Sequence, residues 1–447
     1  MFIPTPTSLP GGIVLGGLHG SSGKTVLTCL LLAGLAARGH AVQPFKAGPD
    51  YIDGGYHNHF CANPSITLDS WLMGKPEVLL AANANTRCAT GILEGVMGLF
   101  DGASSSTEVG STMELARWLQ WPVVLCVPAA KAGRSLAAAL RGFMAEAHPH
   151  GIAGVVLNGI SGSSHTEYLR EALLPLGVPV LGAIPKSAIL EWPERYLGLQ
   201  SAPEMQLPGN GELAGLAALH LDLAQFETLA QMHPQEQTVA PCPPQEARCR
   251  VAVARDEAFH FYYANNLDWL KQQGAELVPF SPIHSHSLPA NIDGILLGGG
   301  FPELHAGAIS DNHSLRTELR QAVLDGVPCY AECGGLMLLA DNLTDIRGEV
   351  FPMAGVIPGT IEMRPALQHF GYCEASDGGA HPHKGHEFHH SVWNAESERG
   401  NAWHVTRKRT GGARQEGFRT GRLHASYVHL YFSNSADLVR THLGFYS

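Results

Sequence analysis

Two short stretches of this chain carry residue types at spacings that perform chemistry. The first is Cys329-Tyr330-Ala331-Glu332-Cys333-Gly334-Gly335-Leu336-Met337, where Cys333 follows an apolar run and precedes a glycine pair. A thiol at a strand-to-helix turn is lifted clear of its sheet, with backbone N–H groups around it. The helix N-terminus beyond it favours the thiolate, which is the nucleophilic form. The second stretch is Gly17-Leu18-His19-Gly20-Ser21-Ser22-Gly23-Lys24-Thr25, a phosphate loop for a nucleoside triphosphate. In such a loop backbone N–H groups face the phosphates, Lys24 neutralises them, and the Thr25 hydroxyl can ligate Mg²⁺. The usual pattern has glycine five residues before Gly23; Leu18 stands there, with Gly17 one earlier, so this loop has one extra residue. A nucleophilic thiol and an ATP loop in one chain imply two half-reactions that are joined.

Carboxylates follow the phosphate loop in sequence. Asp50 and Asp53 are three apart, so a helical turn would place them on one face, suited to Mg²⁺ or to a charged group of the substrate. Glu94 stands among glycines at a strand end and is costly to bury unless it meets a cation. For the thiol, Gly298-Gly299-Gly300 lets backbone N–H groups approach a tetrahedral oxygen, and Gly334 stands beside the cysteine for the same purpose. The base must come from elsewhere, and His429, in Ser426–Phe432, is a candidate beside His424 and His386. Cys329 sits inside the apolar run and reads as inert core. His381 to His390 hold five histidines without a helical metal-ligand spacing, and read as a substrate-facing loop.

These residues need elements to hold them. Gly12–Leu18 reads as a buried strand, Thr25–Arg38 as a helix stopped by Gly39, and Ala41–Lys46 as the next strand, together a βαβ unit. Further buried strands are expected at 91–96, 122–127 and 154–158, apolar throughout as parallel strands are. Residues 200 to 248 are rich in Pro and Gln, with one helical stretch near 211–232. Apolar runs return at 250–254, 294–298 and 327–331. The fold class is α/β with two domains: an ATP/Mg-binding domain over 1–235, a linker over 236–248, and a second α/β domain over 249–447.

The chain has 447 residues, 45% apolar, with a net charge of −11 and no basic run longer than Arg407-Lys408-Arg409. That balance argues against a nucleic-acid partner. Nine scattered cysteines, none at the two-residue spacing of a zinc or redox site, read as reduced thiols of a cytoplasmic protein. No signal peptide and no membrane-spanning run is visible.

Lys46-Ala47-Gly48-Pro49-Asp50-Tyr51-Ile52-Asp53, Leu68-Asp69-Ser70-Trp71, Glu94-Gly95-Val96-Met97-Gly98, Phe280-Ser281-Pro282, Gly298–Leu304, Ala331–Met337 and Gly385-His386-Glu387-Phe388-His389 stand in order along the chain. By these motifs the chain resembles, at family level and across nearly its full length, the cobyrinate a,c-diamide synthases. The resemblance implies a dethiobiotin-synthetase-like ATP domain fused to a class I glutamine amidotransferase domain of the cobyric-acid-synthase type. Dethiobiotin synthetases have the same long phosphate loop, which accounts for Leu18. By this likeness Thr25, Asp50 and Glu94 would hold Mg²⁺, and Lys24 and Lys46 would meet phosphates. Asn158 would read adenine, and Asp53, with Tyr51 beside it, would place the substrate carboxylate. Cys333 would be the nucleophile and His429 its base.

The implied reaction is amidation of the a- and c-acetate side chains of a cobyrinate-type tetrapyrrole through an acyl phosphate, with ammonia released from glutamine at Cys333. A homodimer is a further expectation. Three departures stand out. Tyr431 occupies the place where class I amidotransferases carry a glutamate, so a Cys–His dyad is implied. Gly20-Ser21 replaces the usual Ser-Gly, and Gly54 a frequent proline. Hydrogenobyrinate or nickel-sirohydrochlorin are alternative rings. An ATP-driven switch, or a glutamine sensor with a dead second domain, are rivals outside this chemistry, and the switch leaves the thiol turn and His429 unexplained.

Overall fold

In this computed structural model the described residues are 11–445, apart from 88, 193, 196–197, 200–201, 203–204, 232–247, 380 and 395–401. The chain forms two compact units, Met1–Pro241 and Cys242–Ser447. That division falls inside the expected linker, 236–248, all of which except Arg248 lies outside the described residues.

The N-terminal unit begins with the expected βαβ: β1 (Gly12–Gly17), α1 (Lys24–Ala37) and β2 (Val42–Ala47). It continues through α2 (Ile52–Phe60), β3 (Ile66–Leu68), α3 (Lys75–Asn85), β4 (Thr90–Glu94), α4 (Thr112–Leu119), β5 (Val123–Pro128) and α5 (Leu136–Glu146). β6 (Gly154–Ile160), α6 (Ser163–Leu173) and β7 (Val180–Pro185) complete its sheet, followed by a short antiparallel pair, β8 (Glu194–Arg195) and β9 (Gly198–Leu199). The seven strands run in the order β3-β2-β4-β1-β5-β6-β7 and pair in parallel throughout. Their apolar runs are buried on both faces, as helices on both sides of such a sheet require. β1 lies between β4 and β5 although β2 follows it in sequence, so the chain reverses winding direction at the end of β1. Ligands of open parallel sheets bind at that point.

α1 is buried almost around its circumference and stops where Gly39, at φ 89°, returns its N–H to the Ala36 carbonyl. The single helical stretch expected near 211–232 is two helices, α7 (Asn210–His220) and α8 (Leu223–Gln231). Asp222 separates them, its carboxylate accepting the Gln225 N–H.

The C-terminal unit is built on a six-stranded sheet. Its first part runs β10 (Cys249–Ala254), β11 (Phe259–Phe261), α9 (Ala264–Gln272), β12 (Ala275–Phe280), β13 (Gly294–Leu297) and β14 (Gly299–Gly300). Then come α10 (Ala306–Asp311), α11 (His313–Leu324), β15 (Cys329–Glu332), α12 (Gly334–Leu339), β16 (Ala340–Thr344), β17 (Val350–Pro352) and β18 (Ile357–Met363). The remainder is β19 (His369–Ser376), β20 (His383–His389), β21 (Ser391–Asn394), β22 (Trp403–Arg407), β23 (Ala413–Glu416), β24 (Phe418–Thr420), β25 (Leu423–Ser426), β26 (His429–Leu430) and α13 (Ala436–Leu443). The main sheet is ordered β12-β10-β13-β15-β25-β24, parallel except for the β24–β25 edge. An antiparallel sheet, β23-β22-β19-β20-β26, carries His429 at its end.

The histidine-rich segment is therefore a strand, not the expected loop. From His383 to His389 it pairs residue by residue with β19. The pairing places Gly385, His386, Glu387 and His389 in the interior, where His389 Nε2 lies 3.8 Å from Glu387 Oε1 and His386 meets the Tyr263 hydroxyl. No helix among the described residues is long and apolar enough to cross a membrane.

Candidate active sites

The phosphate loop joins β1 to α1 at the winding reversal. Gly23, at φ 89°, leads into α1, and a side chain there would strike the Asn158 carboxamide, 2.0 Å from its Cβ position. Asn158 in turn donates from Nδ2 to the Ser22 carbonyl at 3.1 Å, tying β6 to the loop. No side chain caps the first turn of α1, so its N–H groups remain open to an anion. Exchange of the usual Ser-Gly for Gly20-Ser21 has a visible effect: Ser21 takes φ 53°, the left-handed region that favours glycine. Lys24 donates from Nζ to the Met97 carbonyl at 2.7 Å.

Behind the loop lies a buried cluster of charge. Lys46, 2% exposed, sits 2.7 Å from Asp53, 3.2 Å from Glu94 and 3.6 Å from Asp50, and also donates to the Gly95 carbonyl. Burial alone would strip its proton, but Asp53, Glu94 and Asp50 hold it above the ordinary lysine range. Glu94 is fully buried; burial would raise it, yet Lys46, His57 and the Thr25 hydroxyl keep it well below the usual carboxylate range. Asp53 goes the other way, raised by burial and by Asp50 despite its contact with Lys46. Asp50 caps α2, its Oδ1 accepting the N–H groups of Ile52 and Asp53 at 2.9 and 3.1 Å. Tyr51 precedes α2 at the same turn.

The oxygens of Thr25, Asp50 and Glu94 are hard donors of the kind Mg²⁺ takes. Thr25 gives its proton to Glu94 Oε1 at 2.7 Å, which leaves lone pairs on Oγ1 for a metal. Both Glu94 oxygens are already bonded, while Asp50 is a quarter exposed and the freer donor. No group of three His, Cys, Asp or Glu side chains that could hold a metal alone occurs among the described residues. The set fits Mg²⁺ as a partial shell completed by phosphate oxygens and water.

One residue here escaped the sequence reading. His57, fully buried, lies 2.6 Å from Glu94 Oε2 through Nε2, and its Nδ1 meets Ser65 Oγ at 2.9 Å. The signal was its spacing, four residues after Asp53 on one face of α2.

In the C-terminal unit Cys333 stands between β15 and α12 with φ 48° and ψ −102°, the strained turn expected of a nucleophile. Its N–H donates to the Ser426 carbonyl at 2.7 Å, and the side chain is 6% exposed. Gly334 packs where a Cβ would come within 3.2 Å of Gly300 N, and a Cβ on Gly299 would strike the His429 ring at 2.8 Å. The three glycines thus let two backbone segments close around the thiol.

Of the three candidate bases, His429 is the one whose proton affinity Cys333 raises. Burial would lower it, but Cys333 and Glu332 together push it up to about 10. His386 lies parallel to it, ring centroids 4.9 Å apart, and burial holds it well below the usual histidine range. His424 is buried against Tyr330 and Trp403. Cys329 is fully buried in β15 and burial raises its thiol far above the ordinary range, so it is inert. Glu332 also escaped the sequence reading: its Oε2 is 3.3 Å from His429 Nδ1.

Residues 13–199 match the family described as the CobQ/CobB/MinD/ParA nucleotide binding domain, and residues 250–437 match the CobB/CobQ-like glutamine amidotransferase domain. The chain is 38% identical to a cobyrinate a,c-diamide synthase of Dehalococcoides mccartyi, covering 97% of this chain and 99% of that one. It is equally identical to one of Syntrophotalea carbinolica, over 97% and 98% of the two chains. One of Listeria monocytogenes shares 38% identity over 96% and 98%. Among solved structures, a glutamine amidotransferase covers 44% of this chain and 97% of its own at 18% identity, with a TM-score of 0.33, too distant to carry argument.

Proposed function

The chain belongs to the cobyrinate a,c-diamide synthase family, and we propose that it amidates the a- and c-acetate carboxylates of cobyrinate through an acyl phosphate. It is an ATP-dependent, glutamine-hydrolysing amidoligase of cobalamin biosynthesis. In the N-terminal unit Lys24 and the open N-terminus of α1 receive the phosphates, and Lys46 holds the transferred group. Thr25, Asp50 and Glu94 would hold Mg²⁺, which when bound draws charge from the phosphates. Asp53 and Tyr51 position the carboxylate that attacks the γ-phosphorus. Asn158 lies beside the loop and reads the base from there.

In the C-terminal unit Cys333 attacks the glutamine amide, Gly299, Gly300 and Gly334 surround the resulting oxyanion, and His429 carries the proton to the departing ammonia. Ammonia displaces phosphate from the acyl phosphate, once for each acetate.

The observation that carries this reading is the placement of His429, its ring against Gly299 and its Nδ1 3.3 Å from Glu332, beside the strained turn of Cys333, in a chain that also holds an open phosphate loop. The test is ammonia release from glutamine with Mg-ATP, with and without cobyrinate, and with Cys333→Ala as control. Thiol-dependent release coupled to ADP and to a ring gaining two amides supports it. Free ammonium should still drive amidation by Cys333→Ala. ATP turnover without glutamine cleavage would identify a switch, and coupling with hydrogenobyrinate or nickel-sirohydrochlorin alone would assign another ring.

A further inference from the structure

We propose that Glu332 completes a Cys333–His429–Glu332 triad, as a positioning residue that holds the His429 imidazole from the position directly before the nucleophile. This rests on the reading of Cys333 and His429 as the glutamine-hydrolysing pair. The sequence pointed to a dyad because Tyr431 stands where the acid is usual. The structure supplies a carboxylate from the other side. Glu332 Oε2 lies 3.3 Å from His429 Nδ1, while Oε1 accepts the Leu430 N–H at 3.1 Å and the Tyr330 hydroxyl at 2.9 Å. Tyr431 is turned away, its hydroxyl 3.4 Å from Asn265 Nδ2 at the start of α9.

Adjacent residues of a strand face opposite sides, so an acid next to a nucleophile would ordinarily be on the wrong side of the sheet. The turn at Cys333, φ 48°, breaks that alternation. Glu332 then keeps its place in β15, opposite Ser426 of β25, and Cys333 swings out; His429 lies three residues beyond Ser426 and meets both. Glu332 is 4% exposed, and a carboxylate there is costly unless it faces positive charge. The imidazolium of the catalytic cycle supplies it.

The groups facing the ring are Cys333 and Glu332 from the β15 side and His386 from β20, the last joined through Nε2 to Tyr263 at 2.6 Å. His386 is kept neutral by burial, so the imidazolium meets no second positive charge.

With Nδ1–H donated to Glu332, Nε2 takes the thiol proton. The thiolate forms an S–C bond with the amide carbon, the C–N bond breaks, and the Nε2 proton leaves with the nitrogen as ammonia. Water then attacks the thioester, gives a proton to Nε2 and releases glutamate, and the proton returns to sulfur.

The competing role is purely structural, as a cap for Leu430 N–H and Tyr330. Glu332→Gln in the full chain separates the two, because it preserves an acceptor and removes the charge. The expected result is a loss of glutaminase kcat of about 10²-fold, with KM for glutamine changed less than about twofold. The upper limb of the pH profile, where His429 gives up its proton near 10, should move down by about one pH unit or more. Ammonia-driven amidation should be unchanged. Wild-type kcat and an unmoved limb overturn the inference. Should that variant not fold, Glu332→Asp decides: withdrawing the carboxylate by one methylene should cost about tenfold in kcat with the limb part-way displaced, and a wild-type profile overturns it. Undiminished glutamine cleavage by Cys333→Ala would instead overturn the underlying reading.

Discussion

In the N-terminal unit one buried ammonium, Lys46, is surrounded by Asp53, Glu94 and Asp50; in the C-terminal unit one buried imidazole, His429, is held between Glu332 and Cys333. The first cluster draws its members from β2, the turn into α2, α2 itself and β4, and its three carboxyl groups outnumber its one ammonium. A divalent cation fits that surplus. The second draws on a dipeptide and one short strand, and its charges balance within themselves. Both follow the same local plan, a strained non-glycine residue ahead of a helix whose first turn no side chain caps. What differs is where the compensating charge comes from, a ligand in one case and the adjacent residue in the other.

Substitutions can break that contrast. Lys46→Met should have the largest effect, leaving buried carboxylates without their cation, with a loss of about 3–5 kcal/mol of folding stability in urea titrations. An unchanged midpoint would mean that the cluster does not depend on Lys46. His57→Ala, which frees one oxygen of Glu94, should reduce ATP-dependent turnover by about 10- to 100-fold and leave glutamine cleavage in place. The reciprocal change, His429→Gln, should cost only about 1–2 kcal/mol, since Glu332 keeps its bonds to Leu430 and Tyr330. A loss as large as that of Lys46→Met would erase the distinction. Ser21→Gly is the mildest: relief of the left-handed strain, offset by glycine's backbone entropy, should raise thermal stability by about 0.5–1 kcal/mol.

The elements that a sequence announces are those with strong local signals. Buried parallel strands made continuous apolar runs, so β1, β2, β5 and β6 stood out, and so did the two glycine-rich turns. The antiparallel sheets around 357–426 did not, because their strands mix polar and apolar residues on partly exposed faces. The histidine-rich segment misled for a related reason: polar residues that read as loop are paired interior strand once β19 and β26 flank them. His57 and Glu332 could not be singled out by type, one being among 24 histidines and the other having no spacing rule that links it to His429. Only the register of β15 on β25 brings that acid to its partner.

The bond from Lys24 to the Met97 carbonyl makes nucleotide binding an exchange of partners. A phosphate must displace a charge-assisted hydrogen bond worth about 1.5–3 kcal/mol before Lys24 contributes to affinity. Met97 itself sits at φ 50° with its side chain half exposed, so the displaced loop has little packing to surrender when it moves. The net heat of association is thereby reduced, and the same carbonyl is ready to reclaim the lysine when the nucleotide departs, so that binding and release trade one partner of Lys24 for another.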